Sequence, residues 1–227
     1  MGKIYVKDNL LKQLFKNIYF INGTAYAGKS TMVKLLSEKY NGIECGENYH
    51  EKLMHLIDVK NQPCLKYFDT MSDWQEFINR TPKKYEKWFK GCIKESTELE
   101  IIELIRLSEC NKKIFVDTNI PILKLHQISD YNHVAIMLSP QSMSVERFFD
   151  RPDKEKKFLL SKIMESENPK KTMANFKACI AKINSKEEYD AFVNSGFFVF
   201  KRDGTKTLNE TLKVLENHFE LSNNLEK

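Results

Sequence analysis

The sequence lacks the features that would place the protein in a membrane or outside the cell. No apolar run in the 227 residues approaches the roughly 20 residues that cross a bilayer. Charged residues interrupt the apolar ones at the beginning of the chain, which is unlike a secretory signal. The five cysteines are scattered without C-x-x-C spacing, as is typical of reduced thiols rather than of a disulfide framework. These absences predict a cytoplasmic protein with no membrane partner.

The sequence also has little net charge, no internal repeat and no low-complexity tract. The 36 basic residues nearly balance the 31 acidic ones, and the excess of +5 is dispersed along the chain. Such a balance argues against a nucleic-acid groove and fits an anionic small substrate at least as well. The length predicts one domain with an inserted lobe, and we expect a monomer or a homodimer.

A glycine pattern near the start carries most of the chemical information. Gly23, Gly28, Lys29 and Ser30 match the phosphate-loop pattern G-x-x-x-x-G-K-[ST]. A strand-forming apolar run, residues 18–21, precedes the pattern, and apolar residues at helical spacing follow it. The order of strand, glycine loop and helix is what a phosphate-binding loop requires. The competing interpretation is a chance glycine turn between a strand and a helix.

The types of residue in this loop suit a nucleoside triphosphate with Mg²⁺. Backbone N–H groups at the positive end of a helix dipole bind phosphate, and glycines allow the backbone to approach closely. Lys29 is expected to reach the β- and γ-phosphates, and the Ser30 hydroxyl is expected to ligate Mg²⁺. The predicted nucleotide-binding residues of the loop are Gly23, Thr24, Ala25, Tyr26, Ala27, Gly28, Lys29, Ser30 and Thr31.

Two carboxylates follow predicted strands and are the other candidate site residues. Asp117 ends the apolar run 113–117, the Walker-B pattern that predicts a second metal ligand beside Ser30. Glu47 follows a short strand, residues 43–46, and the carboxyl ends of parallel strands line the ligand crevice. Glu47 is therefore a candidate base for an acceptor hydroxyl, and equally an acid at a helix start that interacts with the helix dipole.

Between the second and third strands lies a long helical excursion, residues 47–113. Thr81 and Pro82 form an N-cap and first-turn pair that begins a long helix. We expect an apolar stripe along that helix, and its aromatic members are core by default. The stripe consists of Tyr85, Trp88, Phe89, Cys92, Ile93, Leu99, Ile102 and Ile105. The excursion predicts a helical lobe over the crevice that holds the acceptor.

A basic segment after the fourth strand predicts a lid, residues 141–168. Arg147 and Arg151 are spaced one helical turn apart, and guanidinium groups there would stabilise the charge on a transferring phosphoryl group. The alternative is a solvated helix with Arg–Asp pairs. Five predicted strands alternating with helices give a three-layer α/β fold with a parallel sheet.

With its loop G-T-A-Y-A-G-K-S, the chain resembles P-loop NTPases, and among them the nucleoside and nucleotide kinases. The resemblance implies a five-stranded sheet of order 2-3-1-4-5, with ATP and Mg²⁺ as cofactors. It also implies that Glu47 acts as base and that the turn after the last strand, which contains Arg202, lies on the adenine side. The segment after Asp117 departs from the family because it lacks the arginine-rich motif of deoxynucleoside kinases.

These features predict an ATP-dependent kinase acting on a small-molecule hydroxyl or phosphate. The acceptor would be a nucleoside, a nucleotide or another metabolite. A GTPase switch is disfavoured because neither Asn-Lys-x-Asp nor Asp-x-x-Gly occurs. A regulatory nucleotide-binding protein with little or no transferase activity is the main alternative. It predicts a crevice filled by side chains such as Trp74 and Trp88.

Overall fold

Five parallel strands form a single sheet in the computed structural model, which describes residues 6–140, 142–150 and 154–221. The strands are β1 (Ile18–Gly23), β2 (Ile43–Cys45), β3 (Ile114–Asp117), β4 (Val134–Leu138) and β5 (Phe198–Lys201). They are ordered β2-β3-β1-β4-β5, and every neighbouring pair is parallel. The α/β class and the predicted strand order are thereby confirmed.

Helices connect the strands and extend into a lobe. Those that lie close to the sheet are α1 (Asp8–Leu14), α2 (Lys29–Lys39), α5 (Pro82–Ser108), α6 (Ile122–Ile128), α10 (Lys186–Val193) and α11 (Leu208–His218). The others are α3 (Tyr67–Thr70), α4 (Trp74–Ile78), α7 (Met143–Glu146), α8 (Lys154–Met164) and α9 (Pro169–Ile183). No helix in the ranges given above is both long and apolar enough to span a membrane.

Apolar side chains cover both faces of the sheet because successive residues of a strand point to opposite sides. In β1, Ile18 and Phe20 pack into a core that includes residues of α1, α5 and α6. Tyr19 and Ile21 pack into a second core with α2 and α11. All of β1 is buried, which is why its sequence is a continuous apolar run rather than an alternating one.

A third core holds the helical lobe together. Phe77, Tyr85, Ile163 and Phe176 are buried in it, and they come from α4, α5, α8 and α9 respectively. Ile163 lies in the segment that the sequence analysis assigned to a lid. The described part of that segment therefore packs into the same core as the lobe.

The long helix α5 begins as the sequence predicts but turns a different face inward near its end. The Thr81 side chain accepts a hydrogen bond from the Lys84 N–H, with Pro82 in the first turn. Ile102, predicted to lie on the apolar stripe, is 50% exposed, so that prediction is wrong. Glu100 and Glu103 are buried instead. Carboxylates can occupy these positions because hydroxyl groups and an arginine from the surroundings bind them.

Candidate functional site

The glycine loop, residues 23–30, turns sharply at both of its glycines. Gly23 has φ +126° and Gly28 has φ +92°, both in a region that L side chains rarely adopt. A Cβ on Gly23 would lie 1.9 Å from the carbonyl oxygen of Met137, so the loop approaches the end of β4 at backbone contact. Gly28 is the N-cap of α2 and makes no side-chain cap. The first N–H groups of a helix have no partner within the helix, so they are suited to binding an anion.

Hydroxyl groups fix the loop to the end of β4. The Ser139 N–H donates to Thr24 Oγ1 at 2.8 Å, and Ser139 Oγ donates to the Ala25 carbonyl oxygen at 2.7 Å. The Ala27 side chain is buried in the second core. Ala27 was predicted to bind nucleotide, and any such contact therefore falls to its backbone. The loop is therefore held in place by its hydrogen bonds to Ser139 and by the packing of Ala27, without a ligand.

Three predicted side chains meet where the loop enters α2. Ser30 Oγ donates to Asp117 Oδ2 at 2.6 Å, and Lys29 Nζ lies 3.7 Å from Asp117 Oδ1. Lys29 Nζ also donates to the Thr24 carbonyl oxygen at 3.3 Å. Burial raises the pKa of the Asp117 carboxyl, while Lys29 and the hydrogen bond from Ser30 oppose that rise. Ser30 and Asp117, 87 residues apart in sequence, are thus neighbours in space, and their role as metal ligands stays a prediction.

These oxygens fit a magnesium ion. Asp117 Oδ1 is buried and accepts no hydrogen bond from any described residue, so it retains a lone pair for a ligand. Within the described ranges, no cluster of three or more His, Cys, Asp or Glu side chains could hold a metal by itself. Mg²⁺ does not need such a cluster, because it is usually bound by one or two protein oxygens together with waters and substrate phosphates. Ser30 and Asp117 are therefore the residues that would hold it.

The predicted arginines occupy different positions around the loop. The Arg202 guanidinium donates to the Tyr26 carbonyl oxygen at 3.0 Å, so Arg202 supports the loop from the β5 side. The Tyr26 hydroxyl donates to the Arg147 carbonyl oxygen. Arg147 is exposed and is the C-cap of the short helix α7. The prediction that it lies within a longer helix is therefore wrong. Arg151 lies outside the described residues.

Glu47 lies on the segment that follows β2, at the carboxyl end of the sheet. Its side chain is exposed and lines the same cleft as Lys29 and Ser30. Its charge also helps to raise the pKa of Asp117. Glu47 therefore lies close enough to Asp117 to affect it electrostatically.

A buried carboxylate that was not predicted from the sequence, Glu100, lies next to this site. Glu100 Oε2 accepts hydrogen bonds from the Thr118 hydroxyl at 2.6 Å and the Tyr49 hydroxyl at 3.1 Å. His50 Nδ1 lies 3.7 Å from Glu100 Oε1. Glu100 thus joins α5 to the end of β3 and to the segment that carries Glu47. The sequence does hold a signal for this burial, because acidic residues of α5 stand one helical turn away from apolar residues.

Burial decides the charge state of this network. It raises the pKa of Glu100 to about 7, although the hydrogen bonds from Thr118 and Tyr49 oppose the rise. Burial also lowers the pKa of His50. Near neutral pH the His50 ring is therefore mostly uncharged and Glu100 is only partly ionised, so the two do not form a full ion pair.

The raised pKa of Glu100 predicts that stability falls as the pH rises. The folded state binds the Glu100 proton more tightly than the unfolded chain, whose pKa lies near 4.5. The stabilisation of the folded state by this proton is about 3 kcal/mol. It is complete below pH 4.5 and is lost as the pH rises through about 7. Glu100→Gln mimics the protonated acid. In urea titrations, the free energy of unfolding of the variant minus that of the wild type should therefore increase from pH 5 to pH 8.

The control for this prediction is Glu103→Gln, on the same helix. Arg106 donates to Glu103 from Nε and Nη2 at 2.8 and 2.6 Å, and these bonds lower the pKa of Glu103. The stabilisation from ionised Glu103 is therefore present above the usual pKa of a glutamate and is lost in acid. This pH dependence has the opposite sign to that of Glu100. If both variants show the same pH trend, the assignment of the effect to Glu100 is wrong.

A cleft of about 1060 Å³ opens beside the glycine loop. It is lined by the loop, Glu47 and the segment after β3, and by residues of α5, α9 and α10. Trp74 and Trp88 do not line the cleft. They pack against the core of the lobe, and the Trp88 indole N–H donates to the Cys64 carbonyl oxygen at 3.1 Å. The cleft is open, with room for a small organic molecule next to the loop.

Comparison with known proteins adds no family to these observations. Neither the models of known protein families nor the curated proteins gave a match to this chain. The function must therefore be argued from the site itself.

Proposed function

We propose that the protein is an ATP-dependent kinase that transfers the γ-phosphoryl group to a small molecule. The observation that carries this proposal is the meeting of Lys29, Ser30 and Asp117 at a glycine loop that borders an open cleft. A cation, a hydroxyl and a carboxylate at a helix N-terminus are the groups that a phosphate-binding loop needs. The proposed donor is ATP with Mg²⁺, and the proposed place of action is the cytoplasm.

The roles of the residues follow from their positions. The loop backbone and Lys29 bind the donor phosphates and orient the γ-phosphoryl group toward the cleft. Ser30 and Asp117 hold Mg²⁺, which when bound neutralises phosphate charge. Glu47, at the edge of the cleft, accepts the proton of the attacking hydroxyl or orients it. In-line transfer depends mainly on this positioning and on electrostatic stabilisation.

The open cleft supports transfer over a purely regulatory role. A regulatory module with little or no transferase activity needs room for a nucleotide but no second compartment. The cleft extends from the loop to α9 and α10, and the two tryptophans that would fill it under the regulatory alternative pack elsewhere. The volume is sufficient for a second small molecule beside a nucleotide.

Calorimetry of ATP binding tests the proposal at its first step. ATP should bind more tightly with Mg²⁺ than without it. Asp117→Asn should weaken the magnesium-dependent part by on the order of 10- to 100-fold, because it removes the anionic ligand. Asp130→Asn is the control. Asp130 is exposed and precedes β4, so it lies at the amino ends of the strands, whereas Asp117 lies at their carboxyl ends. Absence of ATP binding in the wild type would contradict the proposal.

A further inference from the structure

The cleft has an apolar wall, although the helices that form it also bring charged side chains to the cleft. Side chains of α5, α9 and α10 form the wall: Phe89, Ile93, Ile180, Ile183, Tyr189 and Phe192. The two residues from α5 are four positions apart, so they lie on one face of that helix. Aromatic and aliphatic walls bind the apolar or planar body of a ligand and offer nothing to a charged group.

Among the described residues, no arginine fork lines the cleft to receive a phosphate. A phosphomonoester is usually held by arginines, which bind its oxygens in pairs. The chain has five arginines, and none of those within the described ranges lines the cleft. Arg80 stacks 3.7 Å above the Tyr67 ring in the lobe, and Arg106 binds Glu103. Arg202 binds the loop backbone.

Carboxylates nearly balance the lysines of the cleft. Besides Lys29, the lining lysines are Lys90, Lys94, Lys124 and Lys156, and the lining carboxylates are Glu47, Glu98 and Glu188. Lys90, on α5, lies 2.7 Å from Glu188 and 3.1 Å from Glu86. Once Lys29 serves the donor phosphates, the cleft keeps little net positive charge for a dianionic acceptor.

We infer that the acceptor is an uncharged hydroxyl compound with an apolar or aromatic body, and not a phosphomonoester. This inference rests on the proposed function. The body lies against the apolar wall, and the hydroxyl points toward Glu47 and the loop. A phosphomonoester in the same place would bring its charge to Glu47 and to apolar side chains, and no described residue of the cleft offers a guanidinium to bind it.

The reaction balances with no further co-reactant. The acceptor hydroxyl oxygen forms a bond to the γ-phosphorus of ATP. The bond from that phosphorus to the bridging oxygen breaks, and ADP leaves with the electron pair. The hydroxyl proton passes to Glu47 and then to solvent. The products are a phosphorylated alcohol and ADP.

Matched pairs of acceptors test the inference. The wild-type protein with ATP and Mg²⁺ is given adenosine, guanosine, cytidine or thymidine, each compared with its own 5′-monophosphate. We measure ADP release and, by thermal shift, binding. At least one nucleoside should be used with about tenfold or higher kcat/KM than its monophosphate. Preference for the monophosphates, or no binding of either member of any pair, would overturn the inference. Failure of ATP itself to bind would instead count against the proposed function.

Variants of the wall provide an independent readout. Phe89→Ala should raise the KM of the preferred acceptor about tenfold and leave the KM of ATP unchanged. Phe68→Ala is the matched control, because Phe68 is an exposed aromatic residue of the lobe that does not line the cleft. Lys94→Gln should not change the acceptor KM. A large rise in that KM for Lys94→Gln, with no effect of Phe89→Ala, would show that the acceptor is anionic.

Discussion

Replacing Gly23 by alanine is expected to destabilise the protein by more than about 4 kcal/mol. Two effects act at this position. The backbone has φ +126°, and an added Cβ would lie 1.9 Å from the Met137 carbonyl oxygen and 2.9 Å from its nitrogen. Both are backbone atoms of a buried strand in the sheet, so no rotation of a side chain can relieve the overlap. Either β1 and β4 must separate or the loop must leave its place, and both outcomes remove the loop from the site.

Two other glycines provide a graded control for this prediction. At Gly28 the backbone also has positive φ, but the nearest atoms to an added Cβ are the ends of Arg202 and Met137, at 3.6 and 4.0 Å. Gly28→Ala should therefore cost only the conformational strain, about 1–2 kcal/mol. Gly46 has no atom within 4 Å and no positive φ, so Gly46→Ala should stay within about 0.5 kcal/mol. Urea unfolding followed by circular dichroism gives the order, and equal losses for Gly23 and Gly28 would contradict it.

Replacing Lys29 by alanine is expected to reduce phosphoryl transfer on the order of 10²- to 10³-fold in kcat. Lys29 is only 8% exposed, and its ammonium group is held between the Thr24 carbonyl oxygen and Asp117. In the proposed mechanism it stabilises charge on the donor phosphates, and no other described side chain at the loop provides a buried cation. ADP release with the preferred acceptor is the measurement.

The control for Lys29 lies on the same helix. Lys34 is exposed, and its ammonium lies 3.9 Å from Glu38, so Lys34→Ala should leave transfer unchanged. Lys29→Ala leaves the buried Asp117 carboxylate without a neighbouring cation, which can destabilise the fold. The thermal midpoint of the variant is therefore measured to exclude unfolding. A folded Lys29→Ala variant with wild-type transfer would show that Lys29 has no part in the reaction.

The glycine loop was predictable because its information is local. Residues within one strand, one turn and one helix of each other fix the positive φ values and the position of Lys29 at the start of α2. The strand pattern likewise predicted the sheet, because buried parallel strands are continuous apolar runs between helices. The position of Asp117 followed from the same rule, since it ends the third strand of that pattern.

The interior of the lobe was not predictable in this way. The stripe of α5 drifts relative to its partners over 27 residues, so Ile102 was wrongly predicted to face inward. Glu100 was overlooked because a charge on a helix is normally solvated. Its burial depends on Tyr49 and Thr118, which lie 51 and 18 residues away in sequence. The segment 141–168 was judged on its charges alone, whereas packing of Ile163 joins its described part to the lobe core.

The sequence by itself determined the α/β class, the strand order expected from the family resemblance and the glycine loop between β1 and α2. These depend on backbone preferences and on the burial of short apolar runs, which neighbouring residues decide. Only the tertiary structure decided which carboxylates are buried, which of the described arginines stay outside the cleft and which apolar side chains line it. Those properties arise from contacts between residues far apart in the chain, and the free energy of burying a charge or a ring depends on what lies across the contact.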